Sequence, residues 1–233
     1  MRSSLLLSLL LLTACASDVE TRVEYWGAMK VVLRDGQTQG RVSRAEIIGP
    51  NTVAVGALEG LSAEITVVDG VTHLAEVTEG TTGRRLNIRG PKAGEQATLL
   101  VAAQVASWTE HTLPQVSTLG ELESAIRDIA KAQGIEVSRP FPFKVNGIAS
   151  HLHVHVLNPS CPIANPDGPS PWTFDAANEN VVLVGFHASN AAGVLTHHGQ
   201  SSHIHAVIRT YDVSGHLDRI GLTKGARLFL PGK

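Results

Sequence analysis

Nine of the eleven histidines lie at or beyond His151: His151, His153, His155, His187, His197, His198, His203, His205 and His216. Imidazole is the commonest metal-ligating side chain and the one whose ordinary pKa lies near neutrality. His203 and His205 are two apart on a predicted strand, so their rings share one side. Ten residues separate His205 from His216, and the turn at Asp212–Gly215 allows the returning chain to bring His216 beside the pair. Three neutral imidazoles with one position left for water or substrate make a catalytic zinc-type site. By spacing alone, two surface histidines on an edge strand plus an unrelated third fit equally well.

His151, His153 and His155 form a second stripe, alternating with Leu152, Val154 and Val156. Residues i and i+4 of a strand lie about 13 Å apart, so the whole stripe does not reach one ion. One or two of its members reach a shared site, and the rest line a pocket or face solvent. His197 and His198 point opposite ways if extended, and one of them then faces the same cavity as His203. His73 and His111 stand alone and read as ordinary satisfied histidines. Glu64 is the carboxylate that stands out. It lies on a predicted strand among apolar residues, where an unpaired charge is costly. A metal or a proton-transfer role accounts for it, and so does a simply exposed face.

The elements that must position these groups read as α+β, dominated by mixed and antiparallel sheets with few helices. Residues 23–81 are β-rich, with Val31-Val32-Leu33 leading into Arg34-Asp35-Gly36. Asp69-Gly70 between apolar runs predicts a hairpin, with Glu64, Thr66 and Val68 on one face. A buried strand is predicted over Leu99–Trp108. Thr118 with Glu121 forms a capping box, Gly134 is a stop, and Leu119, Leu122, Ile126 and Ile129 recur at helical spacing. Strands resume over Phe141–Leu157 with Asn146-Gly147 as a second hairpin turn. Five prolines make Asn158–Asp175 a long loop or a flap. Val181–His187 and Ser202–Tyr211 are strands joined through Ser189–Gly199.

Arg2 and the apolar run Leu5–Leu12 predict an export signal over residues 1–15, too short to anchor as a stable span. Leu12-Thr13-Ala14-Cys15 resembles a bacterial lipobox, which implies lipid on Cys15 and, with Ala16 following, sorting to the outer membrane facing the periplasm. Residues 16–24 then form a tether. Residues 25–233 form one domain of two closely packed β-rich halves with a break near 135–140. Cys161 is the other thiol, so a lipidated Cys15 leaves no intrachain disulfide. With 43% apolar residues the core alone can supply stability. A net charge of −2 with dispersed charges shows no basic patch and excludes nucleic acid as a partner.

Gly56-Ala57-Leu58-Glu59-Gly60-Leu61-Ser62-Ala63-Glu64-Ile65, followed by Asp69-Gly70, resembles a segment of the α-acetolactate decarboxylases. His203-x-His205, ten residues, then His216 is similar to that family's metal motif. The order of motifs also agrees, from about Tyr25 to Ile220. The resemblance implies a lyase that removes CO2 from 2-acetolactate or a related β-keto/hydroxy acid to give acetoin. It implies zinc, or another divalent transition metal, held by His203, His205 and His216, with Glu64 as acid/base or substrate-orienting group, and a homodimer. Two departures stand out. The family's substrate-facing arginine falls at His155, within His153-Val154-His155-Val156, which makes His155 a second candidate catalytic residue. The family's glutamate C-terminal to the metal histidines has no match in the sequence up to Lys233. A non-catalytic periplasmic zinc-binding lipoprotein is the competing reading, with a small-acid binding module third. The chain's 2 methionines argue against a copper(I) carrier.

Overall fold

The computed structural model describes residues 21–81, 83–157 and 170–232. The export signal, Cys15 and Cys161 lie outside the described residues.

Turn chemistry builds the first hairpin. Asp69 and Gly70 both have positive φ (49° and 84°), as a two-residue type I′ turn demands. They join strand β4 (Glu64–Val68) to β5 (Val71–Gly80), with Val68 opposite Val71. Strands β1 (Val23–Trp26), β2 (Val42–Ser43), β3 (Thr52–Leu58), β6 (Gly83–Arg89) and β7 (Gln96–Gln104) complete this sheet, in the order β1-β7-β3-β4-β5-β6 with β2 on β7. A short helical turn, α1 (Arg44–Ile47), follows β2.

The second sheet comprises β8 (Trp108–Thr112), β9 (Phe141–Val156), β10 (Trp172–Ala176), β11 (Glu179–His187), β12 (Ser202–Ile208), β13 (Val213–Leu222) and β14 (Arg227–Pro231). Its order is β11-β12-β13-β9-β14-β8, with β10 on β9. The first half of β9 pairs with β11 and its second half with β13. The path β11-β12-β13-β9 therefore closes on itself. Among the described residues every pairing between strands is antiparallel, which narrows the mixed and antiparallel sheets expected from the sequence.

Helix α2 (Leu119–Gln133) covers this sheet. The Thr118 side chain accepts from the Glu121 N–H at 3.1 Å, and Glu121 Oε2 accepts from the Ser117 N–H at 2.7 Å. Gly134 ends the helix in the left-handed conformation. The helix buries Leu122, Ile126 and Ala130 against Phe143, Val154, Ile204 and Leu217. A second core, with Val53, Val55, Val184 and Phe186, lies where β3 of the first sheet meets β11 of the second. Lys144 reaches from β9 to Asp69, 2.7 Å from both carboxylate oxygens, and so ties the β4–β5 hairpin to the second sheet.

Several expectations need correction. Asn146-Gly147 is not a turn but lies inside the continuous strand β9. A Cβ on Gly147 would come within 2.6 Å of the Ala226 side chain, so glycine is needed there for close approach and not for reversal. Lys30–Arg34 form a wide helical turn that packs Val32 and Leu33 with Ala57 and Leu61. The loop expected up to Asp175 ends earlier, because Trp172–Ala176 pairs with the end of β9 and stacks Trp172 on Phe174. The buried strand over 99–108 stops at Gln104. The first sheet ends at Gln104 and the second begins at Trp108, since β8 pairs with β14 and α2 packs on the second sheet.

Candidate metal centre

Alternation along β12 sets the site. Ile204, Ala206 and Ile208 enter the core under α2, so His203 and His205 must face the other way, toward the first sheet. The 3-10 turn Arg209–Tyr211 and the left-handed Asp212 reverse the chain. The hairpin register then places His216 directly opposite His205. The ten-residue gap is thus the length of a hairpin that returns to the same position across the ladder. Candidate ligand atoms of His203, His205 and His216 all lie within 4.8 Å of one another, and all three residues are buried.

His203 Nδ1 and His205 Nε2 are buried without a hydrogen-bond partner. Two such orphans in one spot are costly unless something satisfies them. A cation that takes nitrogen ligands fits that requirement. Burial is the main cause holding all three imidazoles neutral, and neighbouring histidines add to it. The pKa of His205 falls to about 3, and those of His203 and His216 fall well below the ordinary value. Neutral imidazoles keep the lone pairs that a metal needs. The other ring nitrogen of His205 is engaged from the opposite sheet. Its Nδ1 lies 2.9 Å from Thr66 Oγ1, which also accepts from Ser214 Oγ at 2.8 Å. Such outer contacts fix the tautomer and aim of a ligand.

Glu64, at the start of β4, is 4% exposed. Its Oε1 accepts from the Leu157 N–H at 3.4 Å, and its Oε2 lies 3.6 Å from His205 Nε2. With His205 neutral, that approach is not an ion pair. Burial raises the Glu64 pKa to about 7, against the opposing influence of His155. This carboxyl therefore exchanges a proton near neutral pH beside the triad.

His155 is the residue of its stripe that reaches the site. It stands opposite His216 on the other flank of β13, with ring centroids 4.9 Å apart. Its Nδ1 donates to Asp218 Oδ2 at 2.8 Å. Burial works against charge on this ring, yet the hydrogen bond and charge of Asp218, with help from Glu64, outweigh it and raise the pKa. His153 turns instead to Asp175, and His151 is exposed. His197 packs edge-on against His216 at 4.8 Å, whereas His198 is exposed. His187 is held between Ser202 and Ser189, and His111 bonds Gln133, both as structural contacts. His73 belongs to the β4–β5 hairpin, opposite Thr66.

The sequence reading missed Thr66, Ser214 and Asp218 as participants. Thr66 did carry a signal, since it shares a strand face with Glu64. Asp218 carried none.

Fold and site together define an antiparallel two-sheet protein with a buried three-histidine centre between its sheets. No family model matches the sequence, and no curated protein matches it. Solved structures do. Acetolactate decarboxylase from Bacillus subtilis subspecies spizizenii aligns over 91% of this chain and 86% of its own, at 16% identity and a TM-score of 0.68. The α-acetolactate decarboxylase of Bacillus subtilis strain 168 aligns over the same shares at 15% identity and TM-score 0.67. A Staphylococcus aureus protein of unknown function, described as similar to α-acetolactate decarboxylase, gives 13% identity and TM-score 0.67. The chain has the acetolactate decarboxylase fold, in a divergent form.

Proposed function

We propose that this chain is a metal-dependent carbon–carbon lyase that decarboxylates 2-acetolactate, or a closely related β-keto/hydroxy acid, to acetoin and CO2. The observation that carries this reading is the pairing of a buried, unsatisfied His203–His205–His216 centre with a buried carboxyl, Glu64, whose pKa is about 7. His203, His205 and His216 would hold zinc or another divalent transition metal. When bound, that ion supplies Lewis acidity toward the keto and hydroxyl oxygens of the substrate.

The protein's own groups do the rest. Loss of CO2 breaks the bond between the carboxylate and the hydroxyl-bearing carbon and leaves the electron pair on the organic fragment. One proton is then needed for neutral acetoin, and Glu64 holds it at the right place. A group titrating near the working pH both gives and regains a proton readily. The enclosure of Glu64 between the sheets keeps bulk water from competing. His155 and His197 line the space beside His216 and meet the polar end of the substrate.

Anchorage through a lipid on Cys15, on the periplasmic face of the outer membrane, and assembly as a homodimer belong to the same proposal. A Cys15→Ala chain that stays membrane-bound would remove the anchor from it.

The test is to saturate the purified full-length protein with zinc, quantify bound metal, and assay acetoin from 2-acetolactate. Acetoin formation that depends on metal supports the lyase. Stoichiometric metal without acetoin refutes it and leaves the zinc-binding lipoprotein reading.

A further inference from the structure

Between His216 and Arg219, strand β13 holds one residue more than the facing stretch of β9 can pair. His216 stands opposite His155 and Leu217 opposite Val154, but His153 stands opposite Arg219. Asp218 is therefore the extra residue of a β-bulge. Leu217 and Ile220 both enter the core under α2, a three-residue spacing that an unbroken strand cannot satisfy. The bulge reconciles them and leaves Asp218 to be aimed separately. Bulges do this beside functional sites.

Asp218 is aimed between two same-face histidines of β9. Its Oδ2 accepts from His155 Nδ1 at 2.8 Å and lies 3.8 Å from His153 Nε2. The Nδ1 of His153 is turned away, 2.8 Å from Asp175. The shorter contact fixes the His155 ring, which lies as close to His216 as the triad rings lie to one another: 4.9 Å against 5.0, 5.2 and 5.7 Å. With Nδ1 held by the carboxylate, the nitrogen left for another partner is Nε2.

We propose that Asp218 is a positioning residue, fixing the tautomer and ring orientation of His155 so that Nε2 is presented to the hydroxyl- and carboxylate-bearing end of the substrate. The contact with substrate rests on the lyase reading, whereas the positioning does not. A carboxylate that orients a site histidine restrains a ring that otherwise rotates about two bonds. Loss of such an orienting partner costs roughly 10–100-fold in activity.

The test uses the full-length, zinc-saturated protein labelled with ¹⁵N in histidine. Long-range ¹H–¹⁵N spectra in alkaline solution, where imidazole is neutral, report which ring nitrogen carries the proton. The His155→Gln spectrum assigns the signal. His155 should be protonated at Nδ1 in the natural protein and in Asp218→Glu, and should become a mixture of tautomers in Asp218→Ala at unchanged zinc content. In the acetolactate assay, Asp218→Ala should lose about 10–100-fold in kcat, with Asp218→Glu recovering most of it. The double variant with His155→Gln should be no slower than His155→Gln alone. An unaltered tautomer in Asp218→Ala, or losses that multiply in the double variant, would overturn the proposal. If the natural protein forms no acetoin, the lyase reading falls and the tautomer spectra alone decide the positioning.

Discussion

The β12–β13 hairpin and the second half of β9 both bring histidines to one cluster, yet they treat them in opposite ways. On the hairpin, His203, His205 and His216 are buried among imidazoles, hydroxyls and Glu64, and burial strips them of charge. On β9, His155 is also largely enclosed, but Asp218 beside it reverses the outcome and favours charge. The residue type is the same and the sheet is the same. What differs is whether a carboxylate hydrogen-bonds the ring. Neutral rings with unsatisfied nitrogens suit a cation, and a ring held by a carboxylate suits a polar ligand.

The largest effect expected from breaking this contrast is on the hairpin side. His205→Ala should abolish metal retention, a loss beyond the roughly 10–100-fold expected of an outer contact. Metal analysis after dialysis checks it, and full retention would mean that the triad is not the metal centre. Glu64→Gln comes next. It should lower turnover by about 10²–10⁴-fold while leaving metal content intact, which separates proton transfer from ligation. Thr66→Val should weaken metal binding by roughly 10–100-fold, because it removes the partner of His205 Nδ1 without touching a ligand. A zinc competition titration gives the answer.

The pH dependence of stability sharpens the comparison in the metal-free protein. Folded-state pKa values of the triad lie below 6.5, so below that pH the unfolded chain takes up protons that the folded chain refuses. Stability should therefore fall as pH drops below 6.5. His155 has the opposite sign. Its pKa is raised above 6.5, so its contribution is complete below that pH and is lost as pH rises through the folded value. Denaturant melts of His155→Gln against the natural protein should show a deficit in acid that shrinks in alkali. A deficit that grows with pH would contradict the Asp218 pairing. Smallest of all, Asp175→Ala should leave metal content and turnover unchanged, since Asp175 is exposed and touches His153 and Arg219 only at the surface.

The hairpin was legible in the sequence because its information is local. The His-x-His spacing sets a shared face, and the gap to His216 contains a turn that puts the third ring opposite the second. The face that Glu64 shares with Thr66 was legible from strand alternation beside the Asp69-Gly70 turn, but the burial of that face was not. The β9 side was not. Asn146-Gly147 carries a turn signal, and only the approach of Ala226 shows that it serves a continuous strand. Trp172 and Phe174 sit just past a proline-rich run and find their partner strand at Val154 and Val156. Asp218 faces its role through a bulge, and a bulge is a mismatch between two strands that neither sequence reveals alone.

The closed path β11-β12-β13-β9 has a kinetic consequence. Both strands that carry the three histidines have neighbours on each side within a ring that β9 seals by pairing twice. Neither β12 nor β13 can fray from an edge, so opening the ladder at His205 means rupturing the hoop. Amide exchange at Ile204 and Ala206 should thus be among the slowest in the chain, near the rate of global unfolding. A metal entering such a ring would meet a rigid frame, and its departure would be governed by the ion's own bonds and not by motion of the strands around it.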